Sequence, residues 1–96
     1  MSTKCGGYNA TKSPSDDSKD VLKLNFDKIV SLHEKMTNLD LDHLLENHTY
    51  ATQVVAGLNY KFTFIVNKQN VVVVVWKKLN NTFEVSLKEL SEKNIK

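Results

Sequence analysis

The spacing of apolar positions changes once along the chain, from a helical period to a strand period. Leu22, Phe26, Ile29, His33 and Met36 recur at steps of four and three with Val30 beside them, which draws one apolar stripe on a helix. Ser13-Pro14-Ser15-Asp16 reads as the start of that helix: Ser13 caps, Pro14 takes the first helical position and Asp16 completes a capping box. Asp16 and Asp17 also suit the positive end of the helix dipole. The stripe predicts a helix to about Lys35 or Met36 lying across a sheet, with His33 at its border beside a polar partner. Leu39 to Asn47 fits either the opening of a strand or a short extra turn, and a strand is read from about Leu45 onward.

From Thr49 to Val66 the residues are strand formers, with Tyr60, Phe62, Phe64 and Val66 in two-residue alternation. One unbroken strand of that length would be about three times the usual ~5 to 6 residues. Gly57, followed by Asn59, is the local punctuation, so a reversal is placed just before it, which leaves Val54, Val55 and Ala56 on a loop. Apolar residues at a hairpin tip gain nothing by facing water and are candidates for contact with a partner. The competing reading is that these valines extend a buried strand. Leu58 to Val66 is then a strand, Asn67 to Asn70 a four-residue polar connection, and Val71 to Lys78 a strand whose five consecutive valines make both faces apolar. Leu79-Asn80-Asn81 marks the next reversal, because Asn tolerates positive φ, and Phe83, Val85 and Leu87 alternate as a last strand.

Composition narrows the function. A chain of 96 residues allows one domain, 1–96, built as a single layer of helix on sheet. Thirteen basic and eleven acidic residues are interspersed, without the clustered basic face of a nucleic-acid binder. No apolar run approaches the ~20 residues that span a bilayer, and the first residues lack the apolar core of a secretory signal, so a cytoplasmic protein is expected. Cys5 is the single cysteine, which rules out an internal disulfide and fits a reducing compartment. Without a secretory route, the sequons at Asn9, Asn47 and Asn80 are read as accidents of an Asn-rich sequence. Met1 to Lys12 is small and polar, with Gly6-Gly7 for bending, and reads as a flexible arm.

An enzyme reading finds little support. A thiol nucleophile needs a rigid site and a neighbouring base, whereas Cys5 sits beside Gly6 on the arm. His33, His43 and His48 lack the spacing of a helical metal pair, and no Gly-rich phosphate loop is present. Neither a metal nor a cofactor is expected.

Gln53-Val54-Val55-Ala56-Gly57 resembles the Gln-x-Val-x-Gly signature of the cystatins. Thr52, Asn59-Tyr60 and Cys5-Gly6 are similar to the stefins, the intracellular type 1 branch. The order of Gly6-Gly7, helix, signature and later strand reversal extends that resemblance over nearly the whole chain. It implies an α+β, cystatin-like fold, with one long helix packed across an antiparallel sheet of four to five strands. It also implies a reversible, tight-binding inhibitor of papain-like, cathepsin-type cysteine proteases, in which the arm and two hairpin tips form a wedge that blocks the cleft. The protease-binding residues carried over are Cys5, Gly6 and Gly7 on the arm, Gln53, Val54, Val55, Ala56 and Gly57 at the first tip, and Leu79, Asn80 and Asn81 at the second. Leu79 is kept from the family pattern, whereas Asn80 stands where stefins carry Pro. The same resemblance points Val71, Val73 and Val75 toward the helix and leaves Val72, Val74 and Trp76 outside, where with Ile65 they form a candidate exposed apolar patch. Two alternatives follow: a cystatin-fold module that binds a non-protease partner through that face, and a monomer that exchanges strands with a second copy when the first loop straightens.

Overall fold

The computed structural model of the chain describes residues 7–92; Met1 to Gly6 and the last four residues lie outside them. A helix, α1 (Asp16–Val30), is followed by a 3-10 turn (Glu34–Met36) and a short helix, α2 (Leu41–Glu46). Four strands complete the order: β1 (Thr49–Val55), β2 (Gly57–Val66), β3 (Gln69–Lys77) and β4 (Phe83–Glu92). All pair antiparallel with sequence neighbours in the sheet order β1-β2-β3-β4. This is the helix-on-sheet α+β architecture expected from the sequence.

The core lies between α1 and the inner face of the sheet. Tyr60, Phe62, Phe64 and Val66 from β2 meet Val71, Val73 and Val75 from β3, and Leu22 and Ile29 of α1 close over them. The three valines are fully buried, as the cystatin resemblance implies. Each such side chain contributes about 1.5–3 kcal/mol by leaving water. β4 keeps its apolar residues inward by a bulge: Val72 pairs with Glu89 but Val73 with Leu87, so Lys88 is the extra residue. That shift of parity lets Leu90 join Phe83, Val85 and Leu87 against the core.

Local chemistry moves several boundaries. Ser15, not Ser13, caps α1: its hydroxyl accepts the Ser18 N–H at 3.0 Å, and the Ser18 hydroxyl accepts the Ser15 N–H at 2.9 Å. Pro14 therefore precedes the cap. α1 stops at Val30 rather than near Met36: the Ser31 N–H still reaches the Asp27 carbonyl at 3.1 Å, but the Leu32 N–H turns to the Ile29 carbonyl, and His33 caps the 3-10 turn by accepting the Lys35 N–H. Met36 is still fully buried, but from that turn. Leu45 begins no strand: Leu41, Leu44 and Leu45 form the apolar face of α2, and the strand starts four residues later at Thr49. The β2–β3 connection is shortened to Asn67-Lys68, both at positive φ (52° and 65°), the type I′ geometry that follows strand twist. Val74, expected in an exposed outer patch, is buried, and Ile65 stands at the far end of β2 from Trp76, so no continuous apolar face forms there.

Three polar bonds fasten the first turn of α1 to the sheet side. Ser15 and Tyr50 share a hydroxyl hydrogen bond of 2.9 Å, Tyr60 donates to the Asp17 carboxylate at 2.7 Å, and Ser18 meets His48 Nε2 at 2.9 Å. His48 Nδ1 lies 2.8 Å from the Leu44 carbonyl, which can only accept, so the neutral ring carries its proton on Nδ1 and Nε2 accepts from Ser18. Burial lowers the His48 pKa, and the Lys19 charge adds to that; the Leu44 carbonyl and Glu46 oppose it. Burial and the neighbouring Asp17 charge raise the Tyr60 pKa well beyond the usual phenol range.

The His48 shift has a definite sign. Below its ordinary value of 6.5 the unfolded chain binds a proton that the folded chain refuses. The contribution is therefore complete above about pH 6.5, declines as the pH falls, and levels off once folded His48 protonates. Urea unfolding at pH 7.5 and 5.5 is expected to show a lower midpoint at 5.5, and His48→Gln is expected to flatten that difference.

Candidate functional site

At one end of the sheet the β1–β2 hairpin, the β3–β4 hairpin and the approach of the N-terminal segment come together. β1 and β2 stay paired to Val55↔Gly57, so the chain reverses over Ala56 alone. Both readings of this stretch were thus partly right: Val54 and Val55 extend the strand, but they are not buried by it. Val54 is 69% exposed and Val55 half-buried. Gln53 pairs with Asn59 across the strands, and the Asn59 amide donates to Gln53 Oε1 at 3.0 Å.

Gly57 is required by packing as well as by conformation. Its φ is +108°, and a Cβ there would stand 2.2 Å from the Lys77 carbonyl oxygen and 3.2 Å from Lys78 Cα. The first tip is thereby pressed against the end of β3, where the second hairpin begins. That hairpin closes with the Lys78 N–H on the Thr82 carbonyl at 2.8 Å and the Asn81 N–H on the Lys78 carbonyl at 2.9 Å. Asn81 takes φ +67°, as a three-residue loop of this kind needs. Asn80 Oδ1 accepts from the Thr82 N–H at 3.1 Å and the Thr82 hydroxyl at 2.7 Å, fixing the turn from within. Leu79 is left 78% exposed at its apex.

Cys5 and Gly6 lie outside the described residues. Gly7 is exposed, and a Cβ on it would meet nothing within 4 Å. Residues 9–12, expected to hang free, are instead held along the edge of β1. The Asn9 N–H bonds the Thr52 carbonyl at 2.8 Å, while Lys12 and Tyr50 exchange backbone bonds in an antiparallel bridge. Read upstream, the segment therefore heads toward the Val54 tip. Tyr8 holds it there, with Lys61 Nζ 4.5 Å from its ring centroid and its hydroxyl bonded to the Asn59 side chain. Burial raises the Tyr8 pKa, and the Asn59 bond acts against that.

Trp76 was read as part of an outer patch and does something else. Its indole N–H donates to the Ala56 carbonyl at 2.9 Å, which ties β3 to the first tip. The indole N–H of a tryptophan near a strand end is a donor with no ladder partner, and that was the one signal available in the sequence. Asn59 and Tyr8, the other braces of this end, carried no comparable signal.

Among the described residues, four large hydrophobics stand out from the surface: Leu24, Val54, Ile65 and Leu79. Two of the four occupy the adjacent tips. No group of three or more His, Cys, Asp or Glu capable of holding a metal occurs among the described residues. Among the described residues, the end of the sheet thus offers a narrow, apolar, hydrogen-bonded edge.

Fold and edge together define an α+β protein whose prominent feature is a wedge of hairpin tips. A family model of the cystatin domain matches residues 10–96, and the chain belongs to the cystatin family, a family of protease inhibitors. Comparison with curated proteins and with solved structures gave no match.

The two glycines predict a contrast. Gly57→Ala is expected to cost roughly 2 to 4 kcal/mol, from a clash with β3 and a strained φ. Gly7→Ala, in open space, is expected to stay within about 0.5 kcal/mol. Urea denaturation of both variants measures the difference.

Proposed function

We propose that this chain is a reversible, tight-binding inhibitor of papain-like cysteine proteases, of the intracellular, stefin-like kind. The observation that carries this reading is the exposure of Val54 and Leu79 at two adjacent tips that the fold holds rigidly. An apolar edge enters a protease cleft without the desolvation cost of buried charge. A preorganised edge also loses little conformational freedom on binding. Val54, Val55 and Ala56 make the first contact, with Gln53 and Gly57 shaping the tip. Leu79, Asn80 and Asn81 add the second contact, and the arm with Cys5, Gly6 and Gly7 supplies the third. An interface of standard size, ~800 Å² per partner, matches such a three-part wedge. The mechanism is steric: the wedge occupies the cleft and presents no bond in cleavable register.

Inhibition of papain by the purified protein tests the reading, beside a Val54→Asp, Val55→Asp double variant. Tight inhibition is expected from the parent, with a loss of about 100-fold or more in the variant, since two carboxylates would be buried without partners. Circular dichroism checks that the variant is folded. A folded parent that leaves papain fully active would refute the proposal.

A second reading is supported by the tightness of the first tip. Because β1 and β2 are paired up to Val55↔Gly57, straightening the chain at Ala56 and Gly57 alone would join them into one strand. Two copies could then exchange their N-terminal halves and lose the first tip. Size-exclusion mass and papain inhibition measured on the same fractions test this, with inactive dimers expected; active dimers would count against it.

A further inference from the structure

The geometry points to Trp76 as a positioning residue that sets the first tip and couples it to the second hairpin, an inference that rests on the inhibitor reading above. Gln53, Asn59 and Trp76 are successive partners across β1, β2 and β3, so all three lie on the sheet face opposite buried Tyr60 and Val75. From that face Trp76 reaches past the strand end to Ala56, the single residue over which the tip reverses, and donates its indole N–H to the carbonyl at 2.9 Å. The other side of the indole is engaged by the second hairpin. Lys78 Nζ lies 5.2 Å from the ring centroid and is itself held by Glu84 at 2.9 Å. A chain of contacts thus runs from Glu84 through Lys78 and Trp76 to Ala56, from the far flank of the second hairpin to the apex of the first.

Without the indole bond, the Ala56 carbonyl would turn to water. The tip would keep its strand pairing and its Gly57 contact but would sample more orientations, so a partner would have to select the binding-competent one. The bond lies at an exposed position, so its removal is expected to leave global stability nearly untouched and to act on the edge itself.

The test replaces the single tryptophan with the isosteric benzothienylalanine, which puts sulfur in place of the N–H and keeps the ring that Lys78 covers. Three quantities are measured on the full chain: the urea midpoint, the amide order parameters of Ala56 and Gly57, and the dissociation rate from papain. The expected result is an unchanged midpoint, tip order parameters falling toward the ~0.6 of a flexible segment, and release roughly 2- to 10-fold faster, as one hydrogen bond of ordinary strength implies. Tip order parameters equal to those of the parent would overturn the inference, whatever the midpoint does. Should the parent not inhibit papain at all, the inhibitor reading fails by itself, and the order parameters still decide whether Trp76 fixes the tip.

Discussion

The three polar bonds between the first turn of α1 and its neighbours set the arrangement on which the rest depends. A helix resting on valines, phenylalanines and a tyrosine is held by a force that is strong but non-directional, and it could slide or rotate at little cost. Ser15 on Tyr50, Asp17 under Tyr60 and Ser18 against His48 remove that freedom. The bond from Tyr60 to the Asp17 carboxylate is worth about 1.5–3 kcal/mol because one partner is charged. Each bond joins a hydroxyl or ring that is partly or wholly buried, so a slipped helix would strand these groups without partners. The same contacts connect α2 to the assembly, since His48 bridges Ser18 and the Leu44 carbonyl.

With the helix end fixed, the sheet can present an edge that gains nothing from its own burial. Val54 and Leu79 face water, and only the geometry around them keeps them presented. Close approach at Gly57, the amide pair of Gln53 and Asn59, the indole bond at Ala56 and the Asn80–Thr82 contacts each restrain a different part of that edge. The edge is therefore organised before any partner arrives, and conformational entropy that a floppy loop would surrender on binding has already been lost in folding. The segment before α1 belongs to the same construction, because the Asn9 bond to Thr52 and the Lys12–Tyr50 exchange fasten it along β1.

Where the sequence was legible, a single strong local signal applied. The two-residue alternation in β2 has one physical solution when a helix covers one face, whereas the valine run in β3 offers two, and Val71, Val73 and Val75 lie on the inner face that the cystatin resemblance implies. Gly57 and the Asn-rich second reversal were visible because only a few residues tolerate positive φ. The reading went astray where two local solutions competed. Ser13 and Ser15 could each cap a helix, and the contact with Tyr50 favours the second. The apolar stripe ran on to Met36, yet the ladder tightened at Leu32, His33 gave the Lys35 N–H another partner, and a separate 3-10 turn formed.

The sequence by itself determined a helix on a sheet, the order of the long helix and the strands after it, and the stretch at which the first hairpin turns, because these follow from periodicity and backbone preference within a few residues; it did not determine α2. It could not determine that Val54 is paired and yet exposed, that Val74 is buried on the outer face, or that the N-terminal segment is fastened along β1. Nor could it show that Trp76 serves Ala56, twenty residues away in the chain. Each of these depends on what lies across a strand boundary, and distance along the chain carries no record of it. Only the assembled sheet, by bringing Lys77 against Gly57 and the indole against the tip, decided the shape of the edge.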